Sequence, residues 1–241
     1  MYSKTIRMAT CAAVLVAASC GTFRSMTPWR SQPEHPEVNL AFTLEKNLVV
    51  MQSVSVDGRR GRFLFGSATP QTVFDPKLRA IAGSHSLQLS TRDAVRFTPA
   101  SADMHGIADG IIGADVWGNR AVSIDYFAGL VTYQKDGIRP ELMTVYPFTA
   151  EPAVQLSIDG DTIDAIVDTT SPDTLTLPRG SHATTRRKAR ITLAGADFGE
   201  VDVRYADVAE PRIGNRLLSH FLVSIDYGRR IVALWRDPRF G

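Results

Sequence analysis

The chain has 241 residues, of which 44% are hydrophobic and 22% are charged, a balance typical of a globular protein. Its formal net charge is +2, so there is no strong basic field, and we expect no nucleic-acid partner. The two cysteines are Cys11 and Cys20. The sequence after Cys20 therefore cannot form an internal disulfide, and packed hydrophobic cores must stabilise it.

Residues 1–19 predict an export signal peptide, because two basic residues precede an apolar run over 8–18 that is too short to span a bilayer. The sequence AASC at 17–20 resembles the lipobox of bacterial lipoproteins. This resemblance implies that Cys20 carries a lipid, becomes the mature N-terminus and anchors the protein in the bacterial cell envelope. By resemblance to the known sorting of lipoproteins, Gly21 implies the outer membrane, with the protein facing the periplasm, where the cell has two membranes. The alternatives are an ordinary signal peptide that is cleaved after small residues, and a soluble N-terminus that only resembles a signal.

Residues 20–44 are expected to form a lipidated, extended tether, because they contain three prolines among Ser, Arg and Glu and show no sustained apolar period. From Leu48 onward the pattern changes. Short runs rich in Val, Ile, Leu and Thr are broken by Asp-Gly, Arg-Gly and Pro, which is typical of strands and hairpins. We therefore predict that the folded part is all-β and lacks long helices.

An internal repeat with a period of about 100 residues divides this part into two copies of one module. The sequence VSVDGRRGRFLFGSATPQTVFDP at 54–76 aligns without gaps on LSIDGDTIDAIVDTTSPDTLTLP at 156–178. The sequence GIIGADVWGNRAVSIDYFAGLVTY at 110–133 aligns in the same way on PRIGNRLLSHFLVSIDYGRRIVAL at 211–234. The repeat predicts two duplicated lobes, over 45–140 and 141–241.

Each repeated motif has a physical interpretation. The Asp-Gly pairs at 57–58 and 159–160 predict hairpin turns, because Asp and Gly tolerate positive φ. The Ile-Gly segments that contain Gly113 and Gly214 predict a strand end that runs into a short helix, where glycine permits a close backbone approach. The Ser-Ile-Asp-Tyr sequence in each copy opens a last hairpin.

The order of these parts resembles the aspartic peptidases of the retropepsin and pepsin type. In that family each lobe has a hairpin, a strand that ends in apolar-apolar-Asp-Thr/Ser-Gly, a flap region and an apolar-apolar-Gly segment. The second lobe here has IVDTT at 166–170 and RIG at 212–214, and the first has LFGSA at 64–68 and IIG at 111–113. The resemblance implies a bilobal, aspartic-peptidase-like fold made of two retropepsin-like lobes.

The chemistry of that family needs two neighbouring carboxylates, one from each lobe, that act as base and acid. The resemblance implies that Asp168 is the carboxylate of the second lobe. The matching position in the first lobe is Gly66, which has no side chain. A lone carboxylate cannot serve as base and acid together, so we expect the first lobe to be degenerate.

The third position of the motif differs as well, since Ala68 and Thr170 stand where the family has glycine. The resemblance further implies an interlobe hydrogen-bond grip between Ser67 and Thr169. The structural alternative for Asp168 is a carboxylate that neighbouring backbone N–H groups and hydroxyls satisfy at the lobe interface.

Other polar candidates have simpler explanations. Six aspartates lie in hairpin turns, at strand ends or beside the first Ile-Gly segment, where turn, strand and helix-cap roles suffice: Asp57, Asp159, Asp125, Asp226, Asp109 and Asp115. The histidines show no metal-ligand spacing, and no nucleotide-binding loop occurs, so we expect neither a metal nor a cofactor. The basic run at 186–190 is interpreted as a solvated hairpin stem at the start of the second lobe's flap, or as a site for an anionic envelope partner.

These observations predict a non-proteolytic pseudoenzyme that binds an extended polypeptide or an envelope component in the cleft between its lobes. One alternative is an active aspartic endopeptidase in which Asp168 pairs with Asp168 of a second molecule. The other is a purely structural envelope lipoprotein.

Overall fold

The computed structural model of the protein describes residues 38–89, 94–118, 120–134, 137–180 and 184–236, apart from the side chains of 52 and 53. The expected signal peptide over 1–19, Cys20 and the tether as far as residue 37 lie outside the described residues. Within the described ranges, no helix has the length and apolarity needed to cross a membrane.

The first half of the chain contains ten strands and one short helix in its described residues. The strands are β1 (Val38–Glu45), β2 (Leu48–Val56), β3 (Arg59–Phe65), β4 (Val73–Phe74), β5 (His85–Gln88), β6 (Ala94–Phe97), β7 (Ala100–Ser101), β8 (Gly110–Ile112), β9 (Ala121–Asp125) and β10 (Leu130–Gln134). The helix α1 (Ala114–Trp117) lies between β8 and β9.

The second half repeats this order. Its described strands are β11 (Thr144–Pro147), β12 (Ala153–Ile158), β13 (Asp161–Val167), β14 (Leu175–Pro178), β15 (Arg186–Leu193), β16 (Ala196–Ala206), β17 (Arg212–Ile213), β18 (Leu222–Asp226) and β19 (Ile231–Trp235). The helix α2 (Asn215–Leu218) lies between β17 and β18. The predicted all-β fold class is therefore confirmed.

The first repeated motif forms a hairpin in each half. Asp57 and Gly58 connect β2 to β3 with φ values of +52° and +74°, and Asp159 and Gly160 connect β12 to β13 with +52° and +97°. Two consecutive residues at positive φ match the right-handed twist of the paired strands. The predicted turns are present at both places.

The second repeated motif threads between neighbouring chain segments. The strand β8 passes directly into α1 at Gly113, and β17 passes into α2 at Gly214. A Cβ atom at Gly113 would lie 2.6 Å from the carbonyl oxygen of Thr69, and one at Gly214 would lie 2.3 Å from that of Asp173. These positions need glycine because the backbones approach so closely.

One central sheet joins the two halves, with the strand order β11-β19-β18-β9-β10-β1. In its middle β9 pairs antiparallel with β18, so that Ser123 stands opposite Ser224. Their hydroxyl oxygens are 2.7 Å apart. Since the same motif supplies both strands, the local two-fold axis that relates the copies passes between these serines.

The strand β1 corrects the expected tether. Val38–Ala41 pair with β10, Phe42–Glu45 pair with β2, and the alternate side chains of Val38, Leu40 and Phe42 are buried. Residues 38–44 therefore belong to the folded part, and the tether boundary at residue 44 is wrong. The alternation of apolar and polar residues is brief and follows a proline-rich stretch, so it resembled a continuation of that stretch.

The rest of each half forms its own β unit beside the central sheet. In the second half, β12, β13, β17, β14, β16 and β15 close into a barrel. In the first half the equivalent strands β2, β3, β8, β4 and β7 continue from β1 as one open sheet. Buried side chains from both halves, including Phe65, Trp117, Val167 and Leu218, belong to one connected hydrophobic core. This core fixes the two loops that follow β3 and β13.

Candidate functional site

The loop after β3 and the loop after β13 meet through reciprocal hydrogen bonds. The backbone N–H of Ser67 donates to Oγ1 of Thr169, and the N–H of Thr169 donates to Oγ of Ser67, both at 3.0 Å. Each hydroxyl then donates across the interface: Ser67 to the carbonyl of Val167 at 2.5 Å, and Thr169 to that of Phe65 at 2.6 Å. Ser67 and Thr169 have no exposed surface. The grip expected between these residues is thus formed in full.

Asp168 lies beside this grip, and both oxygens of its carboxylate accept hydrogen bonds from neighbours. Oδ1 accepts hydrogen bonds from the backbone N–H of Thr170 at 2.9 Å and from its hydroxyl at 2.5 Å. Oδ2 accepts one from the guanidinium of Arg212 at 3.0 Å. Asp168 is only 7% exposed, whereas the side chain of Arg212 is 28% exposed, so the carboxylate is the more shielded partner of this ion pair. The hydrogen bonds from Thr170 agree with the structural alternative for Asp168, whereas the role of Arg212 was not foreseen.

Arg212 has a second acidic neighbour in Glu151. The distance from its Nη2 to Oε2 of Glu151 is 3.7 Å, which is too long for a hydrogen bond but close enough for attraction between charges. Arg212 therefore lies between two carboxylates: it is hydrogen-bonded to Asp168 and is attracted electrostatically to Glu151.

Gly66 occupies the matching place in the first lobe, and the space for a side chain there is filled. A Cβ atom at Gly66 would lie 2.6 Å from Cγ2 of Ile111 and 2.6 Å from Oγ1 of Thr69. Ile111 pairs with β3 as Arg212 pairs with β13, so these two residues occupy equivalent positions in the two copies. The first lobe has a glycine and an isoleucine where the second has an aspartate and an arginine.

Two repeated tyrosines fasten the lobes around this site, and sequence reasoning did not assign them a role. The hydroxyl of Tyr126 donates to Oδ1 of Asn215 at 2.7 Å, and that of Tyr227 donates to the carbonyl of Ser67 at 2.8 Å. The amide of Asn215 in turn donates to the carbonyl of Thr169 at 2.7 Å. Burial raises the pKa of both phenols. The signal in the sequence was the tyrosine that ends each Ser-Ile-Asp-Tyr motif.

The remaining motif residues support the backbone. Ala68 is 8% exposed and packs within the first loop. Thr170 is committed to Asp168, and Gly113 and Gly214 allow the close approaches described above. None of these side chains brings a second carboxylate to the site.

The aspartates of the hairpin turns have structural roles. Asp57 accepts hydrogen bonds from the backbone N–H of Ser86 at 2.9 Å and contacts Nδ1 of His85 at 2.6 Å. Asp159 accepts from the backbone N–H of Arg190 at 2.8 Å and from the Arg187 side chain. The hydrogen bond from Arg187 lowers the pKa of Asp159.

The other four candidate aspartates also accept hydrogen bonds from neighbouring groups. They accept hydrogen bonds from turn amides, from a threonine or from a buried arginine: Asp125 from the amides of Phe127 and Ala128, Asp226 from the amide of Arg229, Asp115 from Thr72, and Asp109 from Arg79. In the described part of the chain, no three His, Cys, Asp or Glu side chains are grouped so that they could hold a metal ion.

The basic run lies in β15, the first strand of the β15–β16 hairpin, and three of its four cations are paired with acidic neighbours. Its ion pairs join Lys188 to Asp202, Arg190 to Asp197 and Arg187 to Asp159. This pairing agrees with a solvated hairpin stem, and Arg186 is the one cation of the run that forms no ion pair within the described residues.

A groove of about 1060 Å³ lies on the second lobe. Its walls are residues 145–151, parts of β12 and β13, and the loop at 209–212. Arg212 lines this groove and also donates a hydrogen bond to Asp168, so this one residue links the groove to the candidate site.

Comparison with solved structures supports this architecture. The chain is similar to the crystal structure of an aspartic proteinase from Irpex lacteus, with a TM-score of 0.59 and 11% sequence identity. The similarity covers 84% of this chain and 98% of that chain. The predicted bilobal, aspartic-peptidase-like fold is thereby confirmed, and at this identity the likeness shows the fold alone. No protein-family model and no curated protein matches the sequence.

Proposed function

We propose that this protein is a non-proteolytic relative of aspartic peptidases that binds an extended polypeptide or an envelope component in its cleft. The observation that carries the proposal is the asymmetry between the two loops. Asp168 is bound to Arg212, while the place of a second carboxylate, at Gly66, is filled by Ile111 and Thr69.

Peptide hydrolysis in this fold needs a pair of carboxylates that share a proton, one to activate water and one to donate a proton to the oxygen of the scissile carbonyl. Asp168 has no carboxylate partner in the opposite loop. Its Oδ2 instead accepts a hydrogen bond from the guanidinium of Arg212. The carboxylate pair on which this hydrolysis depends is therefore incomplete.

Other parts of the fold support a binding role. The grip between Ser67 and Thr169 and the bonds from Tyr126 and Tyr227 hold the lobes together, and the groove beside Arg212 is open to solvent. Clefts between β-rich lobes suit extended peptides, whose backbone and alternate side chains they can contact.

Proteolysis tests the catalytic half of this proposal. Purified mature protein is incubated with unfolded protein substrates from about pH 3 to 7, the range in which carboxylate pairs act. We expect no pepstatin-sensitive cleavage. Cleavage by the wild-type protein that Asp168→Asn abolishes would instead establish an active peptidase.

An active site built from Asp168 of two molecules is opposed by the burial around it. The opposite loop of the same chain already occupies the interface, and Ser67 and Thr169 have no exposed surface. A second molecule would have to displace the first lobe to bring its own Asp168 near.

We also propose a lipid anchor at Cys20, on the basis of the AASC sequence at 17–20. Cys20→Ser should abolish lipid labelling and release the protein from membranes. Persistent labelling of the substituted protein would show that the lipobox interpretation is wrong.

A further inference from the structure

We propose that the groove on the second lobe takes the lysine or arginine side chains of an extended polypeptide. This inference rests on the proposed function, because it names the chemical class of the polypeptide that would bind and places its side chains in the groove of the second lobe. It follows from the charges, the aromatic side chains and the shape of the groove.

The groove carries more negative than positive charge. Glu151, Asp164 and Glu210 line it, and Arg212 is the one cationic residue among its described lining residues. Arg212 is bound to Asp168, which cancels its charge locally. Within the described ranges Asp164 and Glu210 are exposed and form no ion pair. The acidic residues of the β15–β16 hairpin differ, since Asp197 and Asp202 are paired with basic residues.

Aromatic side chains line the same groove. Tyr146 and Phe148 are both half-buried and lie along the groove wall. Ring faces attract lysine and arginine cations, and apolar walls accommodate the aliphatic stems of these side chains. Val145 and Ile166 supply such walls here. Carboxylates beside aromatic rings thus match a cationic side chain at both its charged end and its stem.

An acidic ligand is disfavoured by the same arrangement. The Arg212 guanidinium lies between Asp168 and Glu151, so an incoming carboxylate would meet two negative charges beside it. Desolvating a carboxylate there without a free cation is costly. The groove therefore favours cationic side chains over anionic ones.

Three synthetic peptides of equal length test the proposal. In the first, lysine alternates with threonine; in the second, glutamine replaces lysine; in the third, glutamate does. Binding to the purified mature protein is measured by fluorescence anisotropy at low and at physiological salt. We expect the lysine peptide to bind most tightly, and its affinity to fall as salt is raised.

A double variant locates the site. Asp164→Asn combined with Glu210→Gln removes two exposed groove carboxylates and should weaken binding of the lysine peptide by about three-fold or more. The matched control combines Glu141→Gln with Glu200→Gln, which removes the same charge from exposed positions outside the groove. The control should leave the affinity nearly unchanged.

Each contrary result is informative. Equal binding of the lysine and glutamine peptides would overturn the charge preference and leave the polypeptide-binding proposal standing. Equal weakening by the groove variant and its control would show that the peptide binds elsewhere or through the overall charge. Failure of all three peptides to bind would count against polypeptide binding itself.

Discussion

The guanidinium of Arg212 donates a 3.0 Å hydrogen bond to the carboxylate of Asp168, which is 7% exposed. A buried carboxylate that loses its cationic partner keeps the cost of desolvation without the compensating attraction. The stability of the second lobe therefore depends on this pair, and the first lobe has no equivalent of it.

Arg212→Ile introduces the residue found at the equivalent position of the first lobe. We expect it to lower the free energy of unfolding by about 2 kcal/mol, less than for a fully buried pair because Arg212 is 28% exposed. Urea denaturation at neutral pH measures this. Asp168→Asn in the same chain should restore much of the loss, because neither charge is then left alone. If Arg212→Ile left the free energy of unfolding unchanged, the ion pair would contribute nothing to stability.

Gly66→Asp should not create a peptidase. The new Cβ would lie 2.6 Å from atoms of Ile111 and Thr69, so the substitution overpacks the loop and should cost about 1–3 kcal/mol of stability. Gly66→Ala is the control for the steric part, and we expect most of the loss to appear already in that variant. A Gly66→Asp protein that is as stable as the wild type and cleaves substrates would contradict this account of the site.

Ser67→Ala and Thr169→Val each remove a hydroxyl from the grip between the lobes. Each should cost about 1–3 kcal/mol, because buried backbone groups lose their partners. The two losses should not add, and a double-mutant cycle should give a coupling of at least about 0.5 kcal/mol. Chemical denaturation of the two single variants and the double variant measures it. Strict additivity would show that the two hydroxyls act independently.

Asp159→Asn should change how stability depends on pH. Its pKa is lowered in the folded protein by the hydrogen bond from Arg187, so its contribution is present above the unfolded pKa of about 4 and is lost as the pH falls through the lower, folded pKa. Asparagine, like aspartate, can adopt the φ of +52° that this turn requires. The variant's denaturation midpoint should therefore be lower than that of the wild type at neutral pH and converge with it in acid. A constant difference at every pH would exclude the carboxylate as its cause.

The sequence predicted the duplicated architecture well, because the repeat carries local signals. The Asp-Gly turns need positive φ, and Gly113 and Gly214 are required by close contacts that leave no room for a Cβ atom. The strand β1 was missed, since its alternation is short and adjoins a proline-rich stretch.

The contact between Arg212 and Asp168 was less accessible from sequence, although both residues stood in recognised motifs. They are distant in the chain and meet only because β13 and β17 pair in parallel. Arginine at a place where the family has an apolar residue was the available clue. The groove was not predictable at all, because three separate segments form it.

The unlike residues on the two sides of the Ser123–Ser224 axis have a genetic consequence. In a homodimer each codon specifies both subunits, so a substitution on one side of the axis appears on the other side as well. Here the two copies are encoded separately in one chain, and each can hold residues that the other does not share. Gly66 with Ile111, and Asp168 with Arg212, are such unlike pairs at equivalent places. One chain can thus carry different chemistry in its two halves while their shared sheet keeps its symmetry.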